Sequence, residues 1–92
     1  MITAFVHIAC TPERLEELAE GISQINGVTE VYSITGDYDL LAIVRTGTLD
    51  DLPGIVTNNI LKKQGILKAN TSVGFKVYSR HDLESMFSIG LD

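Results

Sequence analysis

Five consecutive residues, Thr35-Gly36-Asp37-Tyr38-Asp39, hold the densest chemistry of the chain, with two carboxylates flanking an aromatic ring beside a glycine. Gly36 can take a positive φ or let a ligand approach the backbone closely. Backbone amides exposed there can hold a carboxylate, while Asp37 or Asp39 accepts hydrogen bonds from an ammonium group. A zwitterion such as an amino acid requires that pairing. Glycine and aspartate are also common turn residues, so a plain hairpin turn accounts for the same stretch. Asn70-Thr71-Ser72 is the second polar cluster, at the start of the last predicted strand. Its hydroxyls and amide both donate and accept, which suits a small polar ligand; turn chemistry leading into a strand explains it as simply.

The remaining reactive side chains do not combine. His7 and Cys10 fall on opposite faces of a regular strand and make a poor base and nucleophile. A half-buried histidine and a small buried hydrophobe are the plainer readings. His81, Asp82 and Glu84 offer one imidazole among acids, a weak metal signal in a polar segment that leads into the tail. The sequence carries no Gly-rich phosphate loop, metal-ligand cluster or nucleophilic serine motif. It reads as a protein without catalysis, cofactor or metal.

The elements that position these groups follow from hydrophobic spacing. Ile2, Ala4, Val6 and Ile8 alternate with Thr3, Phe5 and His7, which is a strand. Thr11-Pro12-Glu13 starts a helix, with Thr11 as the expected cap and Leu15, Leu18, Ala19, Ile22 and Ile25 on its apolar face. Asn26-Gly27 ends it. Residues 28–35 and 39–45 are strands joined by Gly36-Asp37-Tyr38 as a short turn. A second helix with a loose first turn runs regularly from about Leu52 until Gly65. Residues 69–78 alternate again, with Thr71, Val73, Phe75 and Val77 on one side. The order β-α-β-β-α-β with right-handed crossovers predicts an α+β ferredoxin-like domain over residues 1–80. Its antiparallel sheet has order 4-1-3-2 and both helices on one side. The tail 81–92 is apolar at Leu83, Met86, Phe87, Ile89 and Leu91, and is expected to dock on the oligomer.

The other face of that sheet should be polar in a monomer, yet Leu40-Leu41-Ala42-Ile43-Val44 is apolar on both sides. Phe5 and an apolar row on strand four are expected to join it there. Two chains packed sheet to sheet as a homodimer would cover such a face; the folded-over tail is the other candidate. Ninety-two residues make one small domain whose core is limited. Seven basic against twelve acidic residues, a formal charge of −5, argue against direct nucleic-acid binding or an anionic membrane surface. No apolar run approaches the ~20 residues of a membrane span. One cysteine and no basic leader-like N-terminus point to the reducing cytoplasm.

Thr35-Gly36-Asp37-Tyr38-Asp39 running into Leu40-Leu41-Ala42-Ile43-Val44, with Gly27-Val28, Gly65-Ile66 and Thr71, resembles the effector domain of the Lrp/AsnC family. These are the leucine-responsive and asparagine-operon regulators, and the module is their domain for regulation of amino acid metabolism. The likeness covers about residues 2–78. It implies sheet-packed dimers that join into rings, usually octamers, with an amino acid effector bound between dimers. Carried over, the ligand-binding positions are Gly36, Asp37, Tyr38, Asp39, Thr71 and Ser72. The acids would meet the ammonium group, and Thr71 or Ser72 the polar ends. Family members carry an N-terminal helix-turn-helix domain, whereas the first residues here already read as strand one. The expectation is therefore a stand-alone sensing module, acting alone or with full-length regulators. An interaction protein that co-assembles with those regulators without sensing is the second reading. A small dimeric ferredoxin-like enzyme, with His7 in its cleft, is the third.

Overall fold

A computed structural model describes residues 1–80 of the chain. Four strands, β1 Ile2–Cys10, β2 Val28–Ser33, β3 Leu40–Thr46 and β4 Ile66–Val73, form one antiparallel sheet in the order β2-β3-β1-β4. Helix α1, Leu15–Ser23, links β1 to β2, and α2, Leu52–Val56, lies in the β3–β4 connection. This is the expected ferredoxin-like topology, its strand order read from the opposite edge.

The core follows from the alternation. Ala4, Val6 and Ile8 of β1 stand opposite Val44, Ala42 and Leu40 of β3, and all six are fully buried. Leu18 and Ile22 of α1 close over them, together with Leu52, Val56 and Ile60 from the second connection. Each fully buried Leu or Ile contributes on the order of 1.5–3 kcal/mol by removal from water.

The helical segments differ from expectation in detail. Thr11 makes no side-chain cap; its backbone is extended, and a single 3-10 turn at Pro12–Arg14 leads into α1. Proline tolerates that start because the first helical N–H groups have no intrahelical partner. The second helix is much shorter than the spacing suggested. A 3-10 turn at Leu49–Asp51 precedes the five residues of α2, and another follows at Ile60–Lys62. Thr57-Asn58-Asn59 disfavours continuation, because Asn and Thr side chains compete for backbone groups. Asn59 does so directly, its amide donating to the Gly54 carbonyl at 2.7 Å.

Strand four is displaced from its expected span. It begins at Ile66, immediately after Gly65 (φ 97°), and ends at Val73. Its partner sets the limit: Ala4 faces Val73, and one last bond joins the Gly74 N–H to the Thr3 carbonyl where β1 runs out. Thr71 and Ser72 therefore lie near the end of the strand, not its start. Of the expected row of Thr71, Val73, Phe75 and Val77, the two residues within β4 do not lie on the open sheet face, whereas Phe75 and Val77, beyond the strand, line a groove with Thr3, Phe5 and Arg45 of that face. Ser72 pairs with Phe5 and Asn70 with His7, so the open-face row is Lys68, Asn70 and Ser72, while Ala69, Thr71 and Val73 share the helix side. An edge strand exposed along most of its length does not report its register through hydrophobic alternation.

Leu41 and Ile43 of β3 do join Phe5 on the open face, as the two-sided apolar strand requires. The reading of residues 81–92 as a docked tail lies outside the described residues.

Candidate functional site

The link between β2 and β3 is a six-residue loop, closed where the Ile34 N–H donates to the Asp39 carbonyl at 2.9 Å. It is longer than the tight turn expected. The loop is pinned to the end of β1 by the Asp39 N–H, which donates to the Ile8 carbonyl at 2.8 Å. Gly36 has φ 111°, a conformation that side chains rarely adopt, and no atom stands within 4 Å of where a Cβ would be. Its backbone is therefore open to close approach.

The two acids of the loop stand in different surroundings. Asp39 is half-buried, and its Oδ2 accepts the Cys10 N–H at 2.9 Å. A bulge between Ala9 and Cys10 shifts the β1–β4 ladder there, so the carboxylate bonds a strand-end amide beside that irregularity. Burial first, and the Asp39 carboxylate second, push the Cys10 thiol above its usual range. Asp37 is exposed and has no ion pair or hydrogen bond among the described residues. Asp37 thus keeps its full acceptor capacity, whereas Asp39 has committed Oδ2 to the Cys10 amide.

Tyr38 leaves the loop toward the open sheet face. Its ring lies 5.5 Å from that of His7, and the Lys68 ammonium sits 4.9 Å from its centroid. Sequence reasoning does not single out Lys68, and it takes His7 as a half-buried side chain or the cleft residue of an enzyme, not as a partner of Tyr38. No spacing signal links residues 7, 38 and 68, because antiparallel pairing of β1 with β4 and closure of the loop bring them together. Thr71 and Ser72 do not join the loop within one chain. They pair with Val6 and Phe5, two and three residues along β1 from Ile8, or roughly 7–10 Å by strand rise. Both are exposed, on opposite faces of the edge strand.

A groove of about 320 Å³ opens at the other end of the sheet, lined by Met1, Thr3, Phe5, Arg45 and residues 74–77. No group of three or more metal-ligating side chains occurs among the described residues, and no helix among them is long and apolar enough to cross a membrane.

Comparison with known proteins places this geometry. Residues 3–83 match the model of the Lrp/AsnC ligand binding domain. The HTH-type transcriptional regulator LysM of Sulfurisphaera tokodaii is 32% identical over 78 residues, covering 84% of this chain and 55% of its own length. The chain thus spans about half the length of the curated relatives it matches. The crystal structure of TTHA0845 from Thermus thermophilus superposes with a TM-score of 0.83 at 42% identity, over 87% of this chain and 100% of that one. A transcriptional regulator of Neisseria meningitidis, NMB0573, solved as an L-Met complex, shares the fold at a TM-score of 0.76 and 18% identity, over 86% of this chain and 53% of its own. The match over residues 3–83, the LysM identity and the β2-β3-β1-β4 sheet agree, and the chain belongs to the Lrp/AsnC ligand-binding domain family.

Proposed function

We propose that this chain is a cytoplasmic sensing module that binds a free amino acid at its Gly36–Asp39 loop and acts through assembly. The observation that carries the reading is the pairing of an unpartnered Asp37 carboxylate with the open, positive-φ backbone of Gly36. An ammonium group bonds the first, and the loop's amides hold the carboxylate of the same ligand. The NMB0573 regulator, a fold relative, was solved with L-Met, which supports this ligand class. Thr71 and Ser72 lie too far along β1 to close the site within one chain. A neighbouring chain supplies the remaining walls, and ligand binding favours the assembly that completes the site.

The assembly begins with a dimer packed through the open sheet face, whose centre is Phe5, Leu41 and Ile43. Phe75, Val77 and Tyr78, all highly exposed, add apolar area beyond β4. Dimers join into a larger ring, with the octamer as the expected form. The solved TTHA0845 chain, 100% of which this chain covers, supports reading this domain as a unit in its own right. Full-length regulators of the family are the natural partners for transcriptional output, with no nucleic-acid contact by this chain.

Calorimetry against the twenty amino acids tests the sensing claim. Saturable binding of at least one, lost in Asp37→Ala and weakened in Thr71→Ala, is the expected outcome. Absence of heat at millimolar ligand from every amino acid overturns it, and co-purification with a helix-turn-helix regulator would then favour a pure assembly role.

A further inference from the structure

His7 stands in the middle of the open sheet face, opposite Leu41 on β3 and Asn70 on β4. Its side chain is half-buried, and its Nδ1 is fully enclosed with no hydrogen-bond partner among the described residues. The ring leans on Tyr38 at 5.5 Å, with 57° between the planes.

Charged groups of both signs stand around this imidazole, and a cation is set against its stacking partner. From β4, the Lys68 ammonium lies 4.9 Å from the Tyr38 centroid, so positive charge already stands next to the ring pair. The cross-strand neighbours Leu41 and Asn70 are uncharged. On β2, Tyr32 and Glu30 are hydrogen-bonded to each other, one strand beyond Leu41. From the loop, Asp39 is engaged with the Cys10 amide, and Asp37 is exposed. His7 forms no ion pair with a carboxylate among the described residues. An imidazolium at this position adds a charge and a second N–H donor where the enclosed nitrogen has no acceptor. Burying such a charge unpaired is costly.

We infer that His7 makes assembly through the open sheet face sensitive to pH. This inference rests on the sheet-packed dimer proposed above and assigns that interface a regulator. A second copy on the face removes the water that still reaches the half-buried ring, so the interface accepts the neutral imidazole and opposes the protonated one. A two-fold interface holds both copies of the residue. Histidine changes charge between about pH 5 and 8. Separated chains take up protons that the dimer excludes; the dimer is therefore favoured at higher pH and lost as pH falls. Exclusion of both protons weakens association by up to about 100-fold per pH unit.

Sedimentation equilibrium of the full chain between about pH 7.5 and 5.5 tests this, with His7→Phe as the non-titrating aromatic variant. The expected result is a native dimer Kd that rises at least about 10-fold on acidification, with circular dichroism unchanged, and a His7→Phe Kd that moves less than about 3-fold. Should His7→Phe fail to fold, His7→Gln makes the same comparison. A native Kd that ignores pH, or a variant as pH-sensitive as the native chain, overturns the inference while leaving the dimer standing. A native chain that is monomeric at both pH values contradicts the dimer itself.

Discussion

At the scale of single residues, the loop separates two roles that look identical in the sequence. Asp37 and Asp39 are the same side chain two positions apart, yet only Asp39 reaches a backbone amide. Asp39→Ala leaves the Cys10 N–H without its acceptor and is expected to cost about 1–3 kcal/mol of stability, read by urea unfolding. Asp39→Asn keeps an acceptor oxygen and should cost less. Asp37→Ala, which removes no hydrogen bond or ion pair seen in this chain, should leave unfolding within about 0.5 kcal/mol of the native value while abolishing ligand binding. Cys10 gives an independent readout of the same contact. Burial and the nearby Asp39 carboxylate hold its thiol in the protonated form, so native protein at mildly alkaline pH should alkylate far more slowly than protein in urea. The candidate residues themselves were legible from composition, because glycine and carboxylates at a turn are a local signal. Which acid is structural was not, since that depends on a contact 29 positions away in sequence.

At the scale of elements, local pattern was informative where one face is buried and misleading where it is not. β1 alternates because helices cover its Ala4–Ile8 face, whereas β3 shows itself by a continuous apolar run, Leu40–Val44, with both faces apolar. β4 is an edge strand with exposed positions along most of its length, so its true start at Ile66 and its register carried little hydrophobic signal. The start is set instead by Gly65, whose φ is 97° and where an added Cβ would stand 2.8 Å from Arg14 Cβ. Gly65→Ala is therefore expected to cost about 1–3 kcal/mol in backbone strain alone, and more once Arg14 is displaced. Gly36→Ala meets no atom and carries the strain without the clash, so thermal unfolding should rank it as the milder change. The short α2 was missed for a related reason. Leu52, Val56 and Ile60 keep helical spacing, but the last belongs to a separate 3-10 turn after the Thr57-Asn58-Asn59 break.

At the scale of the whole molecule, the described residues place one layer of helices on the sheet and leave half-buried Phe5 and Leu41, with Ile43 beside them, on the opposite face. The doubly apolar third strand announced this in the sequence. Where strand four would place its polar row did not show, because the bulge at Ala9/Cys10 and the end of β1 fix that register together. Leu41→Glu puts a charge at the centre of the face and should convert a dimer to a monomer in sedimentation velocity, with circular dichroism retained. Val6→Ala, on the opposite and buried face, should instead lower stability by about 1–3 kcal/mol without changing the assembly. The proposed sensing role depends on the proposed assembly, in which a neighbouring chain bridges Asp37 and the Thr71–Ser72 pair. A crystal structure of the full chain soaked with the amino acid that binds best in calorimetry addresses that role most directly. The expected density is a single zwitterion between chains, its ammonium group on Asp37 and its carboxylate on the amides around Gly36. A loop left empty at saturating ligand, or a ligand bound elsewhere on the chain, would contradict the assignment.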